Sequence, residues 1–253
     1  MKFEGYAALV TGGGSGLGAG TARALAKLGA SVAVLDVNRD AATALAKEIG
    51  GTAVHCDVAD AKSAEAAVAA ARIAQGPARI LVNCAGVGTP GKAIGREGPM
   101  PLEEFSRVVG INLVGTFNII RLAVADMQSL DPMEDGERGV VINTASVAAY
   151  DGQVGQPAYA ASKGGVVALT LPLAREFASS GVRVNTIAPG IFSTPMLHGL
   201  PEEVKESLAQ SVPFPKRLGE PTDYAALALH IIENRMLNGE VIRLDGAIRM
   251  APR

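Results

Sequence analysis

The chain predicts a doubly wound α/β fold, with seven parallel strands in one sheet and helices on both faces. Short apolar runs alternate with Ala/Leu-rich stretches of helical length along the chain. That βαβ order leads to parallel pairing. The runs are nearly continuous in Val, Ile, Leu and Ala, as in strands covered on both faces. A cluster of glycines between the first run and the first helical stretch marks the kind of turn at which such sheets meet ligands.

Tyr6–Val10 reads as the first strand, and the helix from Gly16 to Leu28 follows the glycines. Gly29 stops that helix, and Ser31–Leu35 is the second strand. Asn38 or Asp40 caps a helix that runs to Ile49, where Gly50-Gly51 ends it. Thr52–Cys56 is the third strand, Asp60 caps an alanine-rich helix to Gln75, and Ile80–Asn83 is the fourth strand. The Gly/Pro-rich segment from Gly88 to Pro101 reads as a loop. A long helix from Leu102 to Gln128 follows, with a possible break at Gly110. Val140–Thr144 and Arg183–Ile187 are the next strands, separated by a helix that reaches Ser179. Pro189 to Pro221 is irregular apart from a short helix near Glu202–Gln210. A helix to Glu233 and the strand Glu240–Leu244 complete the pattern. No repeat or low-complexity linker divides residues 1–253, which are expected to form one domain.

Hydrophobic residues make up 48% of the chain, enough for a large core, and the net charge is −2. That balance gives no pointer to nucleic acid or an anionic membrane, and the absence of tryptophan argues against a base-stacking platform. The start of the chain enters a strand without a long apolar segment, and no apolar run approaches a membrane span, so a cytoplasmic protein is expected. Cys56 and Cys84 each follow an apolar run and are expected to be buried free thiols. No C-x-x-C or His/Cys cluster points to a metal.

Three regions carry candidate chemistry. Thr11-Gly12-Gly13-Gly14-Ser15-Gly16-Leu17-Gly18 lies where a backbone can approach a pyrophosphate at a helix N-terminus; a merely tight turn is the alternative. Asp36, 18 residues after Gly18, can accept from adenosine ribose hydroxyls and repel a 2′-phosphate, which favours NAD over NADP; an ordinary helix cap is the alternative. Asp57 follows the third strand and can meet the adenine amino group. Asn83-Cys84-Ala85-Gly86 puts small residues where a cofactor passes close to backbone. Ser146 ends a strand, and Tyr159 and Lys163 are one helical turn apart on one face. An ammonium there is expected to lower the phenol pKa from about 10, although the spacing alone also fits a decorated helix surface.

Thr11–Gly18, Asp57, Asn83–Gly86, Asn112, Ser146, Tyr159-x-x-x-Lys163 and Pro189-Gly190 together resemble the short-chain dehydrogenase/reductase family over essentially the whole chain. Cys84 departs from the commoner asparagine at its position. The resemblance implies a Rossmann fold, a catalytic tetrad of Asn112, Ser146, Tyr159 and Lys163, and a homotetramer. It implies that Lys163 also binds the nicotinamide ribose and that Asn112 holds a relay water. By the same resemblance Val58, Pro189, Gly190, Phe192 and Thr194 line the cofactor. The stretches NTASVAAYDGQVGQPAYAASKGG, VPFPKRLGEPTDYA and LNGEVIRLDGAIRM resemble the acyl-CoA and steroid dehydrogenases of that family. They imply oxidation of 3-hydroxyacyl-CoA to 3-oxoacyl-CoA in fatty acid metabolism. A 3-oxoacyl-carrier-protein reductase, another secondary alcohol dehydrogenase and a non-catalytic nucleotide-binding protein are the alternatives. On the substrate side Gln153, Gln156, Met196, Leu197, Leu200, Leu208 and Phe214 are candidates, with Lys92 and Arg96 set to meet coenzyme A phosphates.

Overall fold

A computed structural model describes residues 3–198 and 201–252. Its main sheet contains seven parallel strands: β1 Ala7–Thr11, β2 Ser31–Asp36, β3 Thr52–His55, β4 Ile80–Asn83, β5 Gly139–Thr144, β6 Val182–Pro189 and β7 Val241–Leu244. They pair in the order β3-β2-β1-β4-β5-β6-β7. The chain therefore reverses its direction of travel between β1 and β4. In open parallel sheets the crevice beyond the strand ends at such a reversal is where ligands sit.

Continuous apolar runs become strands here because both faces are covered. Leu9, Leu81 and Val141 face one core, shared with α3 (Ala61–Gln75), α5 (Gly115–Gln128) and α6 (Pro157–Phe177). Val10, Val82 and Ile142 face the other, shared with α1 (Gly16–Lys27), α2 (Arg39–Ile49) and α9 (Pro221–Glu233). Helix starts follow the expected capping chemistry. Asn38 Oδ1 accepts from Ala41 N at 3.1 Å and Asp60 Oδ1 from Ser63 N at 2.6 Å.

The sequence reading needs amendment in three places. The loop from Gly88 to Pro101 contains a small antiparallel hairpin, Ile94–Gly95 with Gly98–Pro99. The long helix is interrupted as suspected, by a π-helical segment, Gly110–Val114, between α4 (Leu102–Val109) and α5. By length and composition Leu102–Gln128 is apolar enough to cross a membrane, contrary to the expectation; half of its most apolar window is buried inside the protein. The irregular segment after β6 holds the expected short helix, α8 (Glu202–Ser211), and one further helical turn, α7 (Pro195–His198).

One buried cation ties the far end of α9 to the sheet. Arg183 of β6 donates Nε to Glu137 Oε1 at 2.8 Å. Its Nη1 donates to the carbonyls of Ile231 and Leu237, both at 2.8 Å, and its Nη2 to Ile232 O at 2.9 Å. The last carbonyls of a helix have no partner within the helix, and a guanidinium supplies several donors at once. Replacing Arg183 with Met takes the guanidinium from Glu137 Oε1 and from those carbonyls, and leaves Glu137 the more distant Arg235, whose Nε lies 3.5 Å from its Oε2. Arg183→Met is expected to lower unfolding stability by about 3–5 kcal/mol, read from the urea midpoint; a loss below about 1 kcal/mol, the range of an exposed pair, would contradict this account.

Candidate active site

The strand ends at the reversal open into one cavity of about 830 Å3. Gly12, Ser15, Gly16, Leu17 and Gly18 of the first turn form one wall, with Asp36, Asp57 and Val58 at its far end. Ala85 and Gly86 lie across from them. Ser146, Tyr159 and Lys163 stand at the other end beside Pro189, Gly190, Phe192 and Thr194. Gln153, Gln156, Leu197 and Leu208 complete that end.

The glycine turn has a steric cause. Gly12 and Gly16 have φ of +59° and +50°, in the region that favours glycine. A Cβ on Gly12 would lie 2.7 Å from Ala85 N, so any side chain would close the gap between the first and fourth strand ends. The turn also meets Asp36. Gly14 N donates to Asp36 Oδ2 and Asn38 N to Asp36 Oδ1, each at 2.9 Å. These bonds fix the carboxylate at the edge of the cavity. Arg39 is exposed and not part of the lining. Backbone-lined space around a fixed carboxylate fits the adenosine and pyrophosphate of a dinucleotide.

Three predicted residues lie behind the cavity wall rather than on it. Thr11, Asn83 and Asn112 are buried. Ala85 N donates to Thr11 Oγ1 at 3.2 Å, and Asn83 Nδ2 donates to Asn143 Oδ1 at 3.0 Å, so the first two brace the ends of β1, β4 and β5. Asn112 lies in the π-helical segment. Its Oδ1 accepts from Val87 N at 2.8 Å, while Nδ2 donates to Val87 O at 2.9 Å and to Ser162 Oγ at 3.0 Å. Both amide hydrogens and one lone pair of Oδ1 are used in a clamp between the fourth strand end and α6. Its main-chain carbonyl accepts from Thr116 Oγ1 at 2.7 Å. A Cβ on Gly86 would lie 3.1 Å from Asn112 Oδ1 and 3.4 Å from Lys163 Nζ, so the glycine admits both.

Pro157 starts α6, and its fixed φ suits the first helical position. Two and six residues on, Tyr159 and Lys163 face the end of β5. Lys163 Nζ donates to Thr144 O at 2.8 Å and stands 5.8 Å from the centre of the Tyr159 ring. The lysine is buried, and loss of hydration pushes its pKa down to about 8. Burial also pushes the Tyr159 phenol above its usual value, with a hydrogen bond to Ser146 opposing the rise. The expectation that Lys163 lowers this phenol is not met in the protein alone: burial raises it, and what opposes the rise is the bond to Ser146. Ser146 Oγ accepts from Ala148 N at 3.1 Å, and its own hydrogen can be donated to the Tyr159 oxygen or to a substrate oxygen.

Both cysteines are free, and both reach the cavity. Burial raises each thiol, Cys56 to about 12, so neither offers a thiolate at neutral pH. Thr144 Oγ1 bonds Tyr224 Oη of α9 at 2.7 Å and touches Cys84 Sγ at 3.5 Å, packing the wall behind Lys163.

The substrate end departs most from expectation. Phe214 is 82% exposed and away from the cavity. Lys92 and Arg96 are also exposed and do not line it. The cation at the mouth is Arg107, whose Nη2 donates to Thr89 Oγ1 at 2.8 Å. The Met196 side chain and Leu200 lie outside the described residues. Sequence reasoning missed Arg107, Thr89 and Met250 in the lining. Arg107 was visible only as an ordinary helix charge. Met250 carried no signal, since nothing local brings the last residues of a chain to its fifth strand end.

Comparison with known proteins agrees with this geometry. A family model described as short chain dehydrogenase matches residues 6–205. The 3-hydroxyacyl-CoA dehydrogenase type-2 of Drosophila melanogaster is 52% identical over 248 residues, covering 96% of this chain and 97% of its own. The protein of the same name from Homo sapiens is 52% identical over 255 residues, covering 99% and 98%. A crystal structure of 3-hydroxyacyl-CoA dehydrogenase type-2 from Mycobacterium avium superposes with a TM-score of 0.92 at 41% identity, covering 99% of this chain and 98% of the other. The matched stretch runs from β1 into α8 and takes in the glycine turn, Asp36, Ser146, Tyr159 and Lys163, and on that extent of agreement this chain belongs to the short-chain dehydrogenase family.

Proposed function

We propose that this chain catalyses the reversible oxidation of 3-hydroxyacyl-CoA to 3-oxoacyl-CoA, with NAD as the hydride acceptor. One observation carries the reading: a single cavity joins the fixed carboxylate of Asp36 to Ser146, Tyr159 and Lys163. The names of the relatives support the substrate class. Arg107 at the mouth supports an anionic portion such as the phosphates of coenzyme A.

The glycine turn, Asp36 and Lys163 would hold the dinucleotide, which would supply the hydride acceptor for oxidation and the hydride donor for reduction. Tyr159 Oη accepts the hydroxyl proton during oxidation and donates it during reduction. Its raised pKa keeps it protonated in the bare protein, ready for the donor role. Ser146 turns its hydroxyl hydrogen from the phenol to the substrate oxygen and holds that oxygen beside Tyr159. Lys163, fixed on Thr144 O, supplies positive charge that favours tyrosinate once oxidation begins. Asn112 and Gly86 keep the backbone around Lys163 in register. Asp36 accepts from the ribose hydroxyls and disfavours a 2′-phosphate, which supports NAD over NADP.

Purified protein should consume NADH when given acetoacetyl-CoA. Tyr159→Phe should lower kcat by about 10²–10⁴ while NADH affinity, read by fluorescence titration, stays nearly constant. Equal activity of the two proteins would refute the proton-transfer role. Asp36→Ala should reduce the NADH over NADPH preference in kcat/KM by about tenfold or more, about 1.4 kcal/mol; an unchanged ratio would remove Asp36 from cofactor choice.

Burial of Lys163 also gives a stability test. Its folded pKa of about 8 lies below the model-peptide value of about 10.4. Between these values the unfolded chain binds more protons, so the lysine's penalty fades as pH rises. Unfolding stability of wild type relative to Lys163→Met should therefore increase by about 3 kcal/mol from pH 7 to above pH 10. A difference that stays flat across that range would show that the ammonium is not desolvated.

A further inference from the structure

The last residues of the chain contact the substrate end from three sides. Arg243 of β7 is the anchor. Its Nη1 and Nη2 donate to Asp151 Oδ1 at 3.1 Å and Oδ2 at 2.6 Å. Its Nε donates to Asp245 Oδ2 at 2.7 Å, and Nη2 also reaches Ile248 O at 3.0 Å. The guanidinium carbon stands 5.3 Å from the centre of the Tyr150 ring. The side chains of Asp151 and Asp245 are only 12% and 8% exposed. This pairing is therefore a largely desolvated, multidentate one, unlike a surface ion pair.

Tyr150 and Asp151 belong to the loop between Ser146 and Tyr159. Beyond Arg243 the chain turns through Gly246 and Ala247, at φ of +56° and +66°, and then lies along that same loop. Met250 N donates to Asp151 Oδ2 at 3.3 Å, Gln153 Nε2 to Ala251 O at 2.9 Å, and Val154 N to Pro252 O at 3.0 Å. On a second side, a Cβ on Gly190 would lie 2.9 Å from Asp245 Cα and 3.4 Å from Ile248 Cγ2. On a third, Phe214 N donates to Gly246 O at 3.3 Å, fastening the segment that follows α8. Met250 itself reaches the cavity lining. Its bond to Asp151 puts it beside the Ser146–Tyr159 loop, far along the chain from the Asp36 end.

We propose that Asp245–Pro252 is a strap forming the outer wall of the substrate end, in which Met250 sets the length of apolar chain accepted and Arg243 is the positioning residue. The inference rests on the dehydrogenase reading above. A thioether side chain is unbranched and adaptable, so the room it can give up bounds the chain that fits, and a larger rigid ring gives up less. Arg243 touches neither reacting atoms nor cofactor in this account. It acts by holding Asp151, and so the loop, against the strap.

The test measures NADH-dependent reduction of acetoacetyl-CoA and 3-oxodecanoyl-CoA by wild type, Met250→Trp, Met250→Ala and Arg243→Lys. Met250→Trp should lower kcat/KM for the long substrate by about tenfold relative to the short one, with NADH affinity unchanged. Met250→Ala should shift the ratio the other way, towards the long substrate. Arg243→Lys, which cannot grip Asp151 in the same bidentate way, should raise KM about tenfold with little change in kcat. A merely structural role would lower thermal stability and active fraction without that split. Unchanged chain-length ratios in both Met250 variants overturn the strap. If wild type turns over neither thioester, the substrate class is refuted instead, and the same ratio is then read on long against short aliphatic ketones.

Discussion

An ammonium group with almost no access to water is the constraint around which the site is built. Hydration of a charge is costly to remove, and Lys163 responds with a pKa depressed to about 8. Its surroundings reduce that cost without cancelling the charge. Thr144 O accepts from Nζ at the end of β5, the Tyr159 ring lies one turn away, and Gly86 leaves the space. Each of these needs another part of the fold. Thr144 is fixed by the sheet and by Tyr224 of α9, and Tyr159 is fixed by α6. Gly86 follows a strand end braced by Thr11 and Asn83. The electrostatic poise of the site is thus a property of the sheet ends together.

The π-helical segment fits the same scheme. A regular helix from Leu102 to Gln128 would present its residues in an unbroken 3.6-residue order. A π segment shifts that order locally, and such segments recur at functional sites. Here it holds Asn112 where its amide can clamp Val87 on one side and Ser162 on the other. Ser162 immediately precedes Lys163, so the clamp sets the distance between α6 and the fourth strand end. Asn112 therefore supports the proton-transfer reading as a fastening for the groups that carry it.

Much of this was legible in the sequence, and the limits have physical causes. The strands, the glycine turn and Asp36 were readable because their signals are local: apolar periodicity, a backbone needing φ > 0, a carboxylate at a strand end. Ser146, Tyr159 and Lys163 were readable as residue types, and the family resemblance supplied their grouping. The direction of the Tyr159 shift was not readable, because spacing reveals a neighbouring charge but not how much water has been excluded. Thr11, Asn83 and Asn112 were recognised as belonging to the site, but only tertiary packing shows them behind its wall. Arg107 and Met250 depend on contacts between distant segments and had no local signature. The hairpin within Gly88–Pro101 is too short for a pattern to emerge from its glycines and prolines.

These differences separate the two halves of the cavity. The dinucleotide half is made of strand ends and backbone, whose positions the sheet's hydrogen bonds determine. A side chain added at Gly12 would collide with the backbone of Cys84 and Ala85 and force the two strand ends apart, so little variation is tolerated there. The substrate half is made of the loop after Ser146, the segment after β6 and the C-terminal residues, none of which pairs within the sheet. They are joined instead by Arg243 with Asp151 and Asp245 and by single backbone bonds such as Val154 N to Pro252 O. Substitutions in those segments can reshape the substrate end while Ser146, Tyr159 and Lys163 keep their places. A fold arranged in this way can change what it accepts without disturbing how it moves a proton.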